Sequence, residues 1–179
     1  MKKSFLNFFK EIVETVVISV VIVLLIRTFL LQPFFVKGES MLPNFSSGDY
    51  LIVDEITPRL SGFERGEVIV FRSPNSPSVF FIKRIIGLPE ERVVIKDGKI
   101  FIYNKQNSTG FQLEEPYLTE NYTPGSVDIT LRENQYFVLG DNRKASYDSR
   151  SWGALDRSAI IGVVRLRAWP PKALAIFTN

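Results

Sequence analysis

Ser40 lies in the stretch K37-G38-E39-S40-M41-L42-P43, and Lys83 in V79-F80-F81-I82-K83-R84-I85-I86. A serine hydroxyl is a weak nucleophile until a base takes its proton. The chain has 0 His and 0 Cys, which excludes a Ser-His-Asp triad, a thiolate nucleophile, disulfides and His- or Cys-ligated zinc. Any base working near neutral pH must then be a carboxylate, a tyrosine or a lysine with a displaced pKa. On a strand, Lys83 shares a face with Phe81 and Ile85, by the period of two. An ammonium on such an apolar face loses hydration, which lowers its pKa from about 10.4. The neutral amine would suit the Ser-Lys form of nucleophilic catalysis. Spacing alone leaves a plainer reading open: Lys83 reaching around an edge strand to solvent, and Ser40 serving a turn between Gly and Pro.

A third stretch, G140-D141-N142-R143-K144-A145-S146-Y147-D148-S149-R150-S151-W152-G153, sets polar and charged residues directly behind an apolar strand. Buried, such a ring orients a reacting side chain; exposed, it is a turn with surface ion pairs.

The elements that must position these residues are mostly strands. Residues 50–54, 67–71, 79–86, 92–95, 99–103, 135–139 and 159–166 are rich in β-branched and aromatic residues, as strands are. Asp97-Gly98 marks a tight hairpin between the fourth and fifth of them, and 73–78, with Pro74 and Pro77, reads as a turn-rich connection. Residues 104–134, with Pro116, Pro124 and Gly125, read as long loops around at most short strands. The length of 179 residues and the apolar content of 45% fit one such domain plus a small appendage.

The appendage is N-terminal. Between Glu14 and Arg27 the uncharged run holds only 12 residues, short of the roughly 20 that cross hydrocarbon. If Glu14 and Arg27 direct their heads to opposite interfaces, the span extends to about residues 11–31. Thr15, Ser19 and Arg27 scarcely supply the polar face of a surface helix, and L31-Q32-P33-F34-F35 offers no small-x-small cleavage site. The expectation is a retained single-pass anchor, residues 1–31, with Lys2, Lys3 and Lys10 keeping the N-terminus cytoplasmic against the weakening effect of Glu11 and Glu14. Residues 32–179 would form an extracytoplasmic β domain. The net charge of +3 and pI near 9.2 favour an anionic membrane surface and do not argue for nucleic acid.

Together these stretches closely resemble type I signal peptidase, the membrane-bound leader peptidase family of Ser-Lys proteases. G38-E39-S40-M41-L42-P43 resembles its nucleophile box and G48-D49-Y50-L51-I52-V53 the structural box after it. K83-R84-I85-I86-G87-L88-P89 resembles the lysine box, and residues 140–150 the late signature. The resemblance covers nearly the whole chain. It implies a mainly β fold, with one N-terminal transmembrane helix before an antiparallel β catalytic domain. It implies Ser40 as nucleophile, its backbone N–H as oxyanion donor, and Lys83 as general base. Ser146 and Asp148 would hold the lysine, Arg150 would tie their loop to the core, and Asp141, Asn142 and Arg143 would give structural support. The implied substrate is an exported preprotein cleaved after a small-x-small site such as Ala-X-Ala, at a cell or thylakoid membrane, in contact with lipid, without cofactor or nucleic acid.

Two departures stand out. Glu90-Glu91 follows Pro89 where the family commonly has Gly-Asp, and Gly38 occupies a position where some members carry a serine that assists the oxyanion hole. Two alternatives accompany this reading: a membrane-tethered β domain without catalysis, and a related Ser-Lys protease that cuts regulatory proteins or itself.

Overall fold

The run Val68-Ile69-Val70-Phe71 is buried without interruption, the mark of a strand covered on both faces. It lies at the centre of the molecule. The computed structural model describes residues 2–29 and 31–177, with the side chains of residues 7–21, 32–58 and 60–177. Among them are helix α1 (Lys2–Phe29), strands β1 (Leu31–Phe35) and β2 (Tyr50–Asp54), and the short helix α2 (Thr57–Ser61). Next come β3 (Val68–Ser73), β4 (Ser76–Gly87), β5 (Arg92–Lys96), β6 (Lys99–Tyr103), β7 (Phe111–Gln112), β8 (Val127–Thr130) and β9 (Gln135–Leu139). The one-turn helix α3 (Ser149–Trp152), β10 (Leu155–Asp156), β11 (Ile160–Trp169) and β12 (Ala175–Ile176) complete the order.

The strands form two antiparallel sheets. The larger has the order β1-β2-β11-β3-β4-β9-β10, with β12 beside β11, and the smaller has the order β7-β6-β5-β8. Val68 and Val70 pack with Val36, Met41, Phe45, Leu51, Val53 and Val164, while Ile69 and Phe71 pack with Ile85, Tyr136, Val138 and Val163. The alternation along β3 thus feeds two separate cores. A third core, with Val93, Ile95, Ile100 and Ile102 from the small sheet, closes on Ile86, Phe137 and Leu139.

The mainly β expectation holds. Each of the seven expected strands is present, several of them longer than their apolar stretch. β4 begins at Ser76, so the connection expected over 73–78 contracts to the two residues between β3 and β4. Asp97, in the left-handed region at φ 52°, and Gly98 turn β5 into β6.

At the N-terminus, α1 ends at Phe29, and Leu31, expected to close the helix, opens β1 against Asp54. Pro33, lacking an N–H and disfavouring helix at the residue before it, accounts for the early stop. β1 is an edge strand, where a proline is tolerated. Among the described residues no helix is long and apolar enough to cross a membrane. The side chains described within α1, residues 7–21, include Lys10, Glu11 and Glu14, and the rest of the expected span falls largely on residues whose side chains lie outside the description.

Candidate functional site

Ser40 sits on a turn between β1 and β2, pinned from below by its own neighbours. Met41 and Phe45 are fully buried in the core beneath, and Phe45 N–H donates to Met41 O at 2.9 Å. Gly38, at φ 96°, takes the left-handed conformation that lets the chain turn without a side chain. Of the apolar residues flanking this turn, Val36 and Met41 are core, while Phe35 remains exposed.

Lys83 comes from the middle of β4 with a relative exposure of 3%. Its Nζ lies 2.7 Å from Ser40 Oγ and 2.9 Å from Ile82 O, and it stands 5.4 Å from the Phe81 ring centre. Burial lowers its pKa from 10.5 to about 8, against the opposing pull of the Asp148 and Asp141 carboxylates. The amine is buried beside the Phe81 ring and lies within hydrogen-bonding distance of the serine.

Arg84, the next residue, turns the other way. Its guanidinium grips Asp141 through Nε at 2.8 Å and Nη2 at 2.6 Å, stacks 3.9 Å from the Tyr117 ring centre and donates to Gly66 O. Asp141 also accepts from Asn44 Nδ2 at 2.8 Å. The period of two along β4 therefore delivers one cation to Ser40 and the next to the loop that follows β9.

That loop packs onto the Ser40 turn. Asn142 N–H donates to Ser40 O at 3.0 Å and Asn142 Nδ2 to Glu39 O at 3.1 Å. Arg143 is buried, pairs with Glu115 at 2.5 and 2.8 Å, bonds Thr123 Oγ1, and donates through Nε to Gly140 O at 3.0 Å. Asp148 is completely buried and caps α3, accepting from Gly140 N–H, Arg150 N–H, Arg150 Nε and Arg150 Nη2. Arg150 reaches on to Pro124 O at 3.2 Å. Ser146 Oγ is buried with no hydrogen-bond partner among the described residues; the donors of Lys83 go to Ser40 and Ile82 instead.

Gly140 explains how closely loop and turn approach. A Cβ there would overlap both Ser146 Oγ and the Ser40 carbonyl oxygen. Gly140→Ala is expected to lower the turnover number at least about tenfold through displacement of Ser40 and to destabilise the fold by about 1–3 kcal/mol. Steady-state kinetics and a thermal melt check both, and an alanine variant with wild-type kcat would show that the contact does not position the serine.

A cleft of about 580 Å³ opens over Ser40 and Lys83, with Val36, Leu51, Val70 and Ile82 on its floor and Phe80 and Tyr147 among its walls. Tyr147 Oη accepts from Asn75 Nδ2 at 2.7 Å, which ties the loop after β9 to the turn between β3 and β4. Neither Tyr147 nor Asn75 was marked by sequence reasoning. Nor was Glu115, which balances the buried Arg143 from within the stretch read as loop; it carries no local pattern, only a charge that finds its partner 28 residues away.

The family model described as "Signal peptidase, peptidase S26" matches residues 9–169. A probable signal peptidase I-2 of Synechocystis sp. is 34% identical over 178 residues, covering 97% of this chain and 79% of that protein. Signal peptidase IB of Staphylococcus aureus is 31% identical over 188 residues, covering 95% of this chain and 92% of that protein. A crystal structure of a signal peptidase I from Enterococcus faecalis matches at 34% identity with a TM-score of 0.48, covering 56% of this chain and 95% of that one. The chain belongs to the peptidase S26 family of signal peptidases, which are serine endopeptidases.

Proposed function

We propose that the chain removes signal peptides from exported preproteins with a Ser40–Lys83 dyad, cutting after small-x-small sites of the Ala-X-Ala kind. The observation that carries this reading is the 2.7 Å approach of a buried lysine amine to the Ser40 hydroxyl at the floor of an apolar cleft. In the neutral state the lone pair of Lys83 accepts the Ser40 proton as Oγ attacks the scissile carbonyl, whose π electrons move onto its oxygen. The Ser40 N–H is the donor available to that oxyanion. Collapse breaks the C–N bond, the ammonium returns a proton to the leaving amine, and the same amine then activates the water that frees the acyl group from Ser40. Asp148, held by Arg150, acts on the lysine through its charge, Ser146 makes no hydrogen bond to Lys83, and Asp141, Asn142 and Arg143 brace the loop.

The apolar floor favours small side chains by steric rejection of large ones. Residues 1–31 would act as the anchor and residues 32–179 as the extracytoplasmic protease domain, holding enzyme and membrane-bound preprotein on one surface and raising their effective concentration. Support comes from α1, whose side chains over 7–21 are all exposed, apolar ones such as Phe8, Val16 and Val20 included. Among the described residues that apolar surface has no protein partner, and lipid would cover it. Exposed Phe35 and Phe80 border the cleft where it would face the membrane.

The test is cleavage of a preprotein with an Ala-X-Ala junction by the full chain in lipid or detergent, with the product's N-terminus sequenced across pH 6 to 10. Below about pH 8 Lys83 is mostly ammonium, so kcat/KM is expected to rise about tenfold per pH unit and to level off above it. A flat profile over this range rules out Lys83 as the base. Inertness toward several inserted preproteins returns the chain to the tethered binding-domain alternative, and cleavage confined to the chain itself or a soluble regulator favours the other.

A further inference from the structure

Asn142 holds two consecutive carbonyls of the Ser40 turn, Ser40 O through its backbone N–H and Glu39 O through its side chain. A carbonyl oxygen only accepts, so the side-chain amide must present its nitrogen to Glu39. The Glu39 carbonyl and the Ser40 N–H are opposite ends of one planar peptide unit. Fixing the oxygen therefore fixes the direction of the N–H, and a hydrogen bond accepted at the oxygen polarises the N–H as a donor. Among the described residues the Ser40 N–H has no acceptor of its own. Gly38 supplies no side chain that would share the work, and the space where its Cβ would stand is open to 4 Å.

We propose that the Asn142 side chain is a positioning residue for catalysis: it aims and polarises the Ser40 N–H, so that one backbone donor carries a larger share of oxyanion stabilisation. Asn142 also keeps the Ser40 turn and the loop after β9 in register through its backbone, and this second contact survives any side-chain substitution. The inference rests on the Ser40–Lys83 reading above.

The test uses the full chain in detergent and compares wild type, Asn142→Ala, Asn142→Asp and Ser40→Ala. Two quantities are measured: kcat and KM on a preprotein, and affinity for a peptide aldehyde with a small terminal side chain. The aldehyde carbon bonds reversibly to Ser40 Oγ; its π electrons become an oxyanion in the position of the substrate's, and the serine proton passes to Lys83. Asn142→Ala is expected to lower kcat by about 10- to 100-fold, with KM within about twofold and the pH midpoint unmoved. Aldehyde affinity should fall by the same factor as kcat. Asn142→Asp should lose more, because a carboxylate would face the Glu39 carbonyl and repel the developing charge.

Turnover of Asn142→Ala within about twofold of wild type, a loss in KM alone, or a loss of kcat with aldehyde affinity intact would overturn the inference, as would a shifted pH midpoint. These outcomes stay separate from failure of the dyad. An active Ser40→Ala removes the dyad and this inference together, whereas an inactive Ser40→Ala beside an unimpaired Asn142→Ala removes this inference alone.

Discussion

Ser40→Ala and Lys83→Ala are each expected to lower preprotein cleavage by at least about 10,000-fold, with the double variant no worse than either single one, since the proposed nucleophile and base would act as a unit. The expectation follows from the 2.7 Å contact and from the absence of histidine and cysteine in the chain. No second base stands ready in the described surroundings: the Asp141 carboxylate is held by Arg84 and Asn44, and that of Asp148 by Arg150 and backbone amides. Single-turnover cleavage assays measure the loss. A Lys83→Ala variant within about a hundredfold of wild type would mean that another group takes the serine proton.

The second large effect is on stability, and its sign is opposite. Lys83 has an ordinary pKa of 10.5 and a folded one of about 8. Between those two values the unfolded chain binds a proton that the folded chain does not, so stability rises with pH across this window. Below about pH 8 both states are protonated and the penalty of holding an ammonium in the cleft is fully present. At about 1.36 kcal/mol per pH unit it amounts to about 3 kcal/mol. Lys83→Met keeps much of the side-chain volume without the charge, and is expected to stabilise the fold at pH 7 by about 2–3 kcal/mol while abolishing activity. Denaturant unfolding at pH 7 and pH 10 checks it, since the advantage should shrink at the higher pH. Equal stability at pH 7, or a gap that does not narrow, would refute the account.

Much of the framework was legible in the sequence because strands with one or two buried faces announce themselves. Ile100 and Ile102 alternate in β6, and Val68 to Phe71 form an unbroken apolar run. β8 (Val127–Thr130) also alternates, yet it is short and lies among prolines and glycines, so the loop signal prevailed. β1 was concealed because an apolar helix runs almost directly into it and Pro33 sits at its centre. At the site, the residue types of Ser40 and Lys83 suggested their chemistry, while their adjacency depends on a long-range turn-to-strand contact that period and propensity do not encode. The same holds for Asn142, whose partners Glu39 and Ser40 lie about a hundred residues earlier. Its neighbours in the signature, Asp141 and Arg143, bind Arg84 and Glu115. Those pairings were invisible because an ion pair between residues far apart in the chain leaves no mark on either local pattern.

The arrangement around Asp148 has a further meaning for Lys83. A bare carboxylate in contact with a buried amine would trap the proton there and leave a resting ion pair with no lone pair to offer. Arg150 and the Gly140 amide instead occupy the Asp148 oxygens, and the pull that Asp148 still exerts on the amine is outweighed by burial. Asp148 can thus organise the loop while leaving Lys83 free to exchange its proton near neutral pH. The guanidinium that ties down the turn thus also gives the Asp148 charge a partner other than the amine.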